Sequence, residues 1–173
     1  VINSYVAFDE AYDLLGEQED SLFRSANIKV NQLDRVDAMN EPIPNWGIIR
    51  NIPTTSNYYS ITDKNVSDSL ENLGLNQYQY KFKFKKLDMR EGLLNLYHTK
   101  YIIINKLNGA KIPNGYKLIK SDDTHSLYEN KNIVPFGYTY NTYVTEKDFE
   151  KANAVQREQT MTQNAVISDT SDI

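Results

Sequence analysis

Nine residues, 97–105, constrain the fold of this chain more than any other stretch. They read Tyr-His-Thr-Lys-Tyr-Ile-Ile-Ile-Asn and contain the densest run of β-branched side chains in the sequence. Because residues 102–104 do not alternate with polar residues, the pattern predicts a strand that is covered on both faces. We therefore expect the strand at residues 100–105 to be the centre of a sheet.

The sequence predicts four helices, each from apolar residues at helical spacing next to a capping residue. They cover residues 3–16, 63–73, 89–97 and a last segment that begins with Thr145 as its N-cap. Thr62 or Asp63 can cap the second helix, Gly74 can end it, and Asp88 opens a capping box in the third. The expected apolar stripes are Val66, Leu70 and Leu73 in the second helix and Phe149, Ala152 and Val155 in the last.

The expected strands surround the central one in the chain. Besides residues 100–105 they are residues 22–30, 47–50, 78–85, 116–120, 126–129 and a segment within 133–140 that Pro135 interrupts. Residues 116–120 and 126–129 read as an antiparallel pair joined by a turn at 122–124. Residues 31–46 read as a surface loop, because polar residues and two prolines dominate them.

These elements predict an α/β (α+β) fold. At 173 residues, with 40% hydrophobic and 24% charged residues, the chain is long enough for one folded domain and short for two. We expect a single domain at residues 1–165, built on a mixed, mostly antiparallel sheet with about four helices packed on it. Residues 166–173 are expected to be a frayed tail.

Composition excludes several kinds of function. A net charge of −4 argues against nucleic acid as a partner, and the absence of cysteine excludes disulfides and thiol chemistry. His98 and His125 are too few and too poorly spaced for a metal site, and Asp122 with Asp123 reads as a turn. The sequence contains no nucleophile elbow, phosphate loop or dinucleotide fingerprint. We expect no catalytic residues, metal or cofactor here, and see no signal peptide or apolar run of the ~20 residues that span a bilayer.

Two segments carry candidate binding residues. Residues 54–60 form a polar and aromatic loop, in which Asn57, Tyr58, Tyr59 and Ser60 can either bind a sugar or cover a core edge. Residues 78–85 alternate aromatic and polar side chains and place Lys81, Lys83 and Lys85 on one face, with Lys86 adjoining. Those lysines can protect an edge strand from aggregation, contact an anionic glycopolymer or membrane surface, or contact single-stranded nucleic acid.

A set of short motifs resembles the bacterial YfhO-type membrane protein family. In chain order the motifs are Phe23-Arg24, Asn57-Tyr58-Tyr59-Ser60, the helix start at residues 63–68, Lys100-Tyr101, Tyr128-Glu129-Asn130 and Pro135-Phe136-Gly137. Each motif is short, and their shared order is the specific part. The resemblance extends over roughly residues 1–165.

The resemblance implies a soluble extracytoplasmic domain of a polytopic membrane protein in a Gram-positive bacterium. The family is similar to lipid-dependent (GT-C type) glycosyltransferases, which transfer sugars from polyprenyl phosphate to lipoteichoic acid or a related cell-wall polymer. It implies that the catalytic acid lies outside this chain, so that the chain alone is inactive. The implied partners are the rest of the same membrane protein and the anionic glycopolymer, with no cofactor in this segment.

This reading gives the candidate residues a physical role. Lysines 81, 83, 85 and 86 would contact phosphates, while Trp46, Asn57, Tyr58 and Tyr59 would contact sugars. Two alternatives of another class remain open: a structural or interaction module that binds no glycan, and a standalone soluble enzyme.

Overall fold

The computed structural model describes residues 17–38, 45, 47–48, 51–58, 63–75, 83–84 and 87–168. The predicted helix at residues 3–16 and most of the predicted strand at residues 78–85 lie outside these ranges. In chain order the helices are α1 Glu17–Ser25, α2 Lys64–Asn72, α3 Glu91–Leu96, α4 Glu146–Lys151 and α5 Ala154–Gln163, with a 3-10 helix at Lys106–Asn108. The strands are β1 Arg35–Ala38, β2 Asn57–Tyr58, β3 Lys83–Phe84, β4 Thr99–Asn105, β5 Tyr116–Ser121, β6 His125–Asn130, β7 Tyr143–Thr145 and β8 Ala165–Ile167.

The main sheet has four strands in the order β1-β4-β6-β5. Strand β1 runs parallel to β4, while β4 with β6 and β6 with β5 are antiparallel. Two further two-stranded sheets are formed by β2 with β3 and by β7 with β8. The prediction of an α/β fold on a mixed, mostly antiparallel sheet is confirmed.

Strand β4 is central and is covered on both faces, as predicted. Ile102 and Ile104 join one core cluster, and Tyr101 and Ile103 join the other. Since successive side chains of a strand point to opposite faces, the two clusters lie on opposite sides of the sheet. The α1-side cluster contains Leu22, Phe23, Val36, Ala38 and Leu127, and the α3-side cluster contains Leu70, Leu73, Leu75, Leu87, Leu93, Leu94 and Tyr116.

The predicted strand at residues 22–30 is wrong, because this region begins as helix α1. Leu22 and Phe23 are buried together with the half-buried Ala26, a spacing that forms one face of a helix. The apolar residues that alternate after Arg24 lie in the chain that leaves the helix, and they do not form a strand.

The predicted surface loop at residues 31–46 contains strand β1, and this prediction is also wrong. Val36 and Ala38 are buried against β4, but Asp37 between them is buried as well, at 2% exposure. Its carboxylate accepts hydrogen bonds from Thr55 Oγ1 at 2.8 Å and Leu87 N at 3.4 Å. A charged residue at a core position conceals the strand from a hydrophobic pattern. Of the strand predicted at residues 47–50, Gly47 and Ile48 are helical, so that part is wrong, and residues 49–50 lie outside the described residues.

Helix α2 ends where the sequence indicates. Asp63 is its N-cap and accepts from the backbone N–H groups of Asn65 and Val66, and Gly74 follows it with φ of 60°. Leu70 and Leu73 are buried as predicted, whereas Val66 is 48% exposed. Val66 lies instead in the wall of the groove described below. The predicted apolar stripe of α2 therefore includes one residue that is not buried in the core.

The start of helix α3 differs from its prediction. The N-cap is Arg90, no side chain caps the helix, and the expected capping box of Asp88 is absent. Asp88 and Met89 both have positive φ, at 52° and 56°, so the chain turns before the helix begins. Arg90 N donates to Leu87 O, which closes this turn.

The C-terminal third contains the predicted antiparallel pair as β5 and β6, joined by a turn in which Asp122 accepts from Thr124 N and His125 N. No strand forms at residues 131–142, and the strand predicted within 133–140 is wrong. Thr145 caps α4 as predicted, but the helix stops at Lys151 and a second helix, α5, follows. Val155 of the predicted stripe is 72% exposed.

Two tyrosines of the C-terminal third make the fold sensitive to alkali. Burial raises the pKa of Tyr116, whose hydroxyl donates to Thr99 O, and burial with Tyr138 nearby raises the pKa of Tyr140 to about 12. The unfolded chain loses these protons near pH 10, before the folded chain does, so ionisation favours unfolding. We expect the contribution of these two tyrosines to be fully present well below pH 10 and stability to fall between pH 10 and 12. Far-UV circular dichroism and tyrosinate absorbance, followed together, measure this, and Tyr140→Phe should weaken the fall.

Candidate functional site

A groove of about 810 Å³ lies beside β1, at the edge of the main sheet. Its described wall comes from the chain after α1, the start of β1, residues 45, 47–48 and 51–56, helix α2 and Tyr97. A volume of this size lies within the range of small-ligand sites. The groove is therefore the candidate binding site, and each wall has a local structural origin.

The end of helix α1 presents Lys29 to the groove. Asn27 adopts a left-handed conformation with φ of 54°, Asn27 N donates to Arg24 O and Ile28 N donates to Phe23 O. This pair of bonds is the Schellman ending, which turns the chain sharply away from the helix. Ile28 and Val30 then pack on the α1-side cluster, and Lys29 between them is exposed.

Arg35 forms the base of the groove together with Tyr97. The Arg35 guanidinium donates from Nη1 to Tyr97 O at 2.6 Å, and Arg35 N donates to His98 O at 3.1 Å. Burial raises the pKa of the Tyr97 hydroxyl, while the guanidinium opposes this shift, so the phenol is neutral near pH 7. A guanidinium has five N–H donors in a planar fork, which suits bidentate contact with a phosphate or carboxylate.

Residues 51–56 supply amides and hydroxyls. They run along the outer edge of β1, where Val36 N donates to Pro53 O at 2.9 Å and Thr55 N donates to Val36 O at 3.2 Å. Thr55 Oγ1 and Thr54 Oγ1 already donate to Asp37 and Ser56 O, so they can serve a ligand mainly as acceptors. Asn51, with φ of 53°, is exposed at the rim.

The groove carries positive charge although the chain is acidic overall. Lys29 and Arg35 lie in its described wall, which contains no carboxylate and no histidine. Asp34 lies next to it in the chain, but its carboxylate bonds Lys100 Nζ at 2.9 Å and lies 3.4 Å from His98 Nε2. The hydrogen bond to Asp34 raises the pKa of Lys100. The described wall can bind an anionic ligand that also carries hydroxyl groups. It offers no pair of side chains for acid–base catalysis.

The predicted binding residues are placed only in part. Trp46, Tyr59, Ser60, Lys81, Lys85 and Lys86 lie outside the described residues. Asn57 and Tyr58 form β2 and Lys83 lies in β3, with Tyr58 opposite Lys83 and Asn57 opposite Phe84. The backbone therefore pairs residues 57–58 of the predicted polar and aromatic loop with residues 83–84 of the predicted lysine-bearing strand. Asn45 and Gly47, the two neighbours of Trp46 in the chain, both line the groove, and so does Ser56 just before Asn57.

The sequence analysis missed Lys29, Gln32 and Arg35 as groove residues. Residues 22–30 were read as a strand and 31–46 as a loop, and no local pattern relates these residues to Tyr97. The polar run at residues 54–56, which the sequence indicates as part of a site-like loop, does line the groove.

His98, His125 and Asp122 each contact neighbouring residues of the fold. His125 lies 2.8 Å from Thr124 Oγ1, Asp122 is bonded within its turn, and His98 lies edge-on to Phe136. Across the described ranges, no three His, Cys, Asp or Glu side chains come close enough to hold a metal ion. No helix among the described residues has the length and apolarity to cross a membrane.

Comparison with known proteins gives two matches. The family model described as "Bacterial membrane protein YfhO" matches residues 8–172. A protein of Bacillus subtilis (strain 168), named "Uncharacterized protein YfhO", is 28% identical over 144 residues, which cover 80% of this chain and 16% of that protein. The chain thus spans less than a fifth of the length of this relative. No solved structure matches.

Proposed function

Because the chain belongs to the YfhO family of bacterial membrane proteins, we propose that it is the acceptor-binding domain of a membrane glycosyltransferase. In this proposal the domain lies on the extracytoplasmic side of a Gram-positive membrane and binds an anionic cell-wall glycopolymer such as lipoteichoic acid. The rest of the protein transfers sugar from a polyprenyl phosphate to that polymer. The domain positions the acceptor and takes no part in the chemistry.

The charge of the groove is the observation that carries this proposal. Lys29 and Arg35 lie in a wall that otherwise presents amides, hydroxyls and a tyrosine, and its described part has no carboxylate. A polymer of phosphodiesters and hydroxyls requires cations for its phosphates and amides or hydroxyls for its sugars or polyols. The net charge of −4 makes a local positive site a specific feature of this groove and not a property of the whole surface.

Residues 81–86, here called the lysine segment, are a second contact in the same proposal. Strand β3, which contains Lys83, pairs with β2, and β2 directly follows the groove residue Ser56. A polymer chain longer than the groove could therefore continue onto residues 81–86. Trp46 stays a candidate sugar contact, because its chain neighbours Asn45 and Gly47 line the groove. Tyr59 and Ser60 stay candidates because they follow β2 in the chain.

The alternative function is a structural or interaction module that binds no glycan. It is favoured by the internal bonds of the groove, since Arg35 already donates to Tyr97 O and Thr55 to Asp37. In this alternative, these contacts only hold the loop on the sheet edge, and the groove binds no anionic ligand. The two functions therefore differ in one measurable property, which is binding of a phosphate polymer.

The test is an NMR titration of the isotope-labelled 173-residue chain with a synthetic glycerol phosphate oligomer at low salt. We expect shifts at the backbone amides of Lys29, Gln32 and Asn51, and a Kd about five- to tenfold weaker for Lys29→Ala, because one phosphate contact is lost. Added salt should weaken binding further.

Lys117→Ala is the matched control, because Lys117 is exposed on β5, at the opposite edge of the sheet. It should bind the oligomer as the unchanged chain does. Absence of shifts in the groove, or equal weakening in both variants, would exclude acceptor binding and favour the structural module. Shifts confined to residues 83–84 would move the binding site to the lysine segment.

A further inference from the structure

Residues 132–145, here called the aromatic segment, contain no charged residue, although 24% of the chain is charged. Lys131 precedes the segment and Glu146 follows it. Three of its large side chains are exposed: Phe136 at 54%, Tyr143 at 51% and Tyr138 at 44%. The proposed acceptor site does not use this surface, since none of its residues lines the groove.

The backbone of the aromatic segment is fixed to the rest of the fold. The Tyr140 hydroxyl donates to Met161 O of helix α5, and its ring packs edge-on against Tyr138 at 5.3 Å. Thr142 Oγ1 donates to Gln163 O at 3.2 Å, and Thr142 O accepts from Ala165 N at 3.0 Å. The exposed aromatic side chains are therefore presented by an ordered support and do not require ordering when they bind.

We infer that the aromatic segment rests in the interfacial layer of a lipid bilayer. Tyrosine and phenylalanine suit this layer, because their rings enter the acyl boundary while a tyrosine hydroxyl stays at the headgroups. A segment without charges enters it without the cost of dehydrating ions. The chain belongs to a family of bacterial membrane proteins, which favours a bilayer as the surface that this segment contacts.

Lipid explains this surface better than a glycan does. The most exposed ring, Phe136, has no polar atom, and no residue of the segment carries a charge that could contact a phosphate. The contact would also orient the domain. The segment follows β6, ends with β7 and is followed directly by α4, so its position relative to the sheet and this helix is set by the chain.

The test uses the absence of native cysteine in the chain. A single Thr139→Cys variant, labelled with an environment-sensitive fluorophore, reports on the aromatic segment, and Lys117→Cys reports on the far edge of the sheet. Both positions are exposed. The probe is a vesicle of neutral phosphatidylcholine, so that charge attraction cannot cause binding. We expect emission to shift to the blue and to rise at position 139 and to stay constant at position 117.

The variant Phe136→Ser/Tyr138→Ser/Tyr143→Ser should lower the vesicle partition coefficient by about tenfold or more. If this variant does not fold, the comparison of the two labels decides alone. A silent label at position 139 at high lipid concentration, or an equal response at both positions, would overturn the inference.

A response at 139 to glycerol phosphate oligomer without lipid would assign the surface to a glycan, and a response to protein concentration alone would assign it to a second copy. The inference does not depend on acceptor binding, which a separate titration tests.

Discussion

Leu127→Ala is expected to lower the free energy of unfolding by about 3 kcal/mol. Leu127 is 0% exposed in β6, lies opposite Ile103 of the central strand and packs in the α1-side cluster. The truncation removes buried apolar surface and leaves a cavity on the α1 side of the sheet. Strand β6 is hydrogen-bonded to a neighbour on each edge, so it cannot move to fill that cavity. Urea unfolding followed by circular dichroism measures the change.

Leu118→Ala is the matched control for this substitution. Leu118 lies in the adjacent strand β5, opposite Tyr128, and is 57% exposed. The same change in strand propensity applies to both positions, so their difference isolates burial. We expect the control to change stability by less than about 0.5 kcal/mol. Equal losses in the two variants would contradict the assignment of Leu127 to the core.

Arg90→Ala is the second substitution with a large expected effect, because one guanidinium joins three helices. Its Nε donates to Glu158 of α5 at 2.7 Å, Nη1 to Leu73 O at the end of α2 at 2.6 Å, and Nη2 to Ala154 O at 3.2 Å. Arg90 itself occupies the N-cap position of α3, although its side chain does not cap that helix. The Arg90 and Glu158 side chains are only 19% and 17% exposed, so removal of the cation leaves a largely buried carboxylate unpaired.

We expect this loss to lower the free energy of unfolding by about 3 kcal/mol. A double-mutant cycle with Glu158→Gln separates the ion pair from the two carbonyl contacts, and the double variant should lose less than the sum of the single ones. Lys64→Ala, which removes an exposed ion pair with Asp68, should leave the unfolding midpoint unchanged. Additive losses in the cycle would show that the pair contributes nothing beyond packing.

The elements that the sequence predicted correctly depend on neighbours in the chain. Residues 102–104 are three consecutive isoleucines, Asp63 and Gly74 bracket α2, and the turn at Asp122 joins β5 to β6. Each signal lies within about ten residues, which is the range where propensity, capping and turn chemistry act.

The elements that were missed depend on distant contacts. Strand β1 carries a buried Asp37 that is satisfied by Thr55 and by Leu87 N, 18 and 50 positions away. The segment 22–30 alternates like a strand, but burial of Leu22 and Phe23 against Tyr101 makes its first part a helix face. No pattern within either segment contains these partners, so the sequence alone favoured the wrong structure.

The candidate site shows the same division. The polar run at residues 54–56 could be recognised locally and lies in the groove wall. Arg35 joins the site only because β1 pairs with β4 and brings it to Tyr97 O. Lys29 joins it because Asn27 ends α1 in a left-handed turn. A charged groove built from such contacts becomes visible only when the sheet is assembled.

The parallel pairing of β1 with β4 also sets the order in which the chain can fold. Arg35 precedes its contact Tyr97 by 62 positions, so at a synthesis rate of roughly 5–20 residues per second β1 waits roughly 3–12 seconds for its partner. Strands β4, β6 and β5 are separated by short connections and can pair as soon as they emerge. The edge where the groove lies is therefore the part of the main sheet that closes across the longest separation in the chain, and its closure costs the most entropy. In a nascent chain, the groove is absent until the sheet behind it exists.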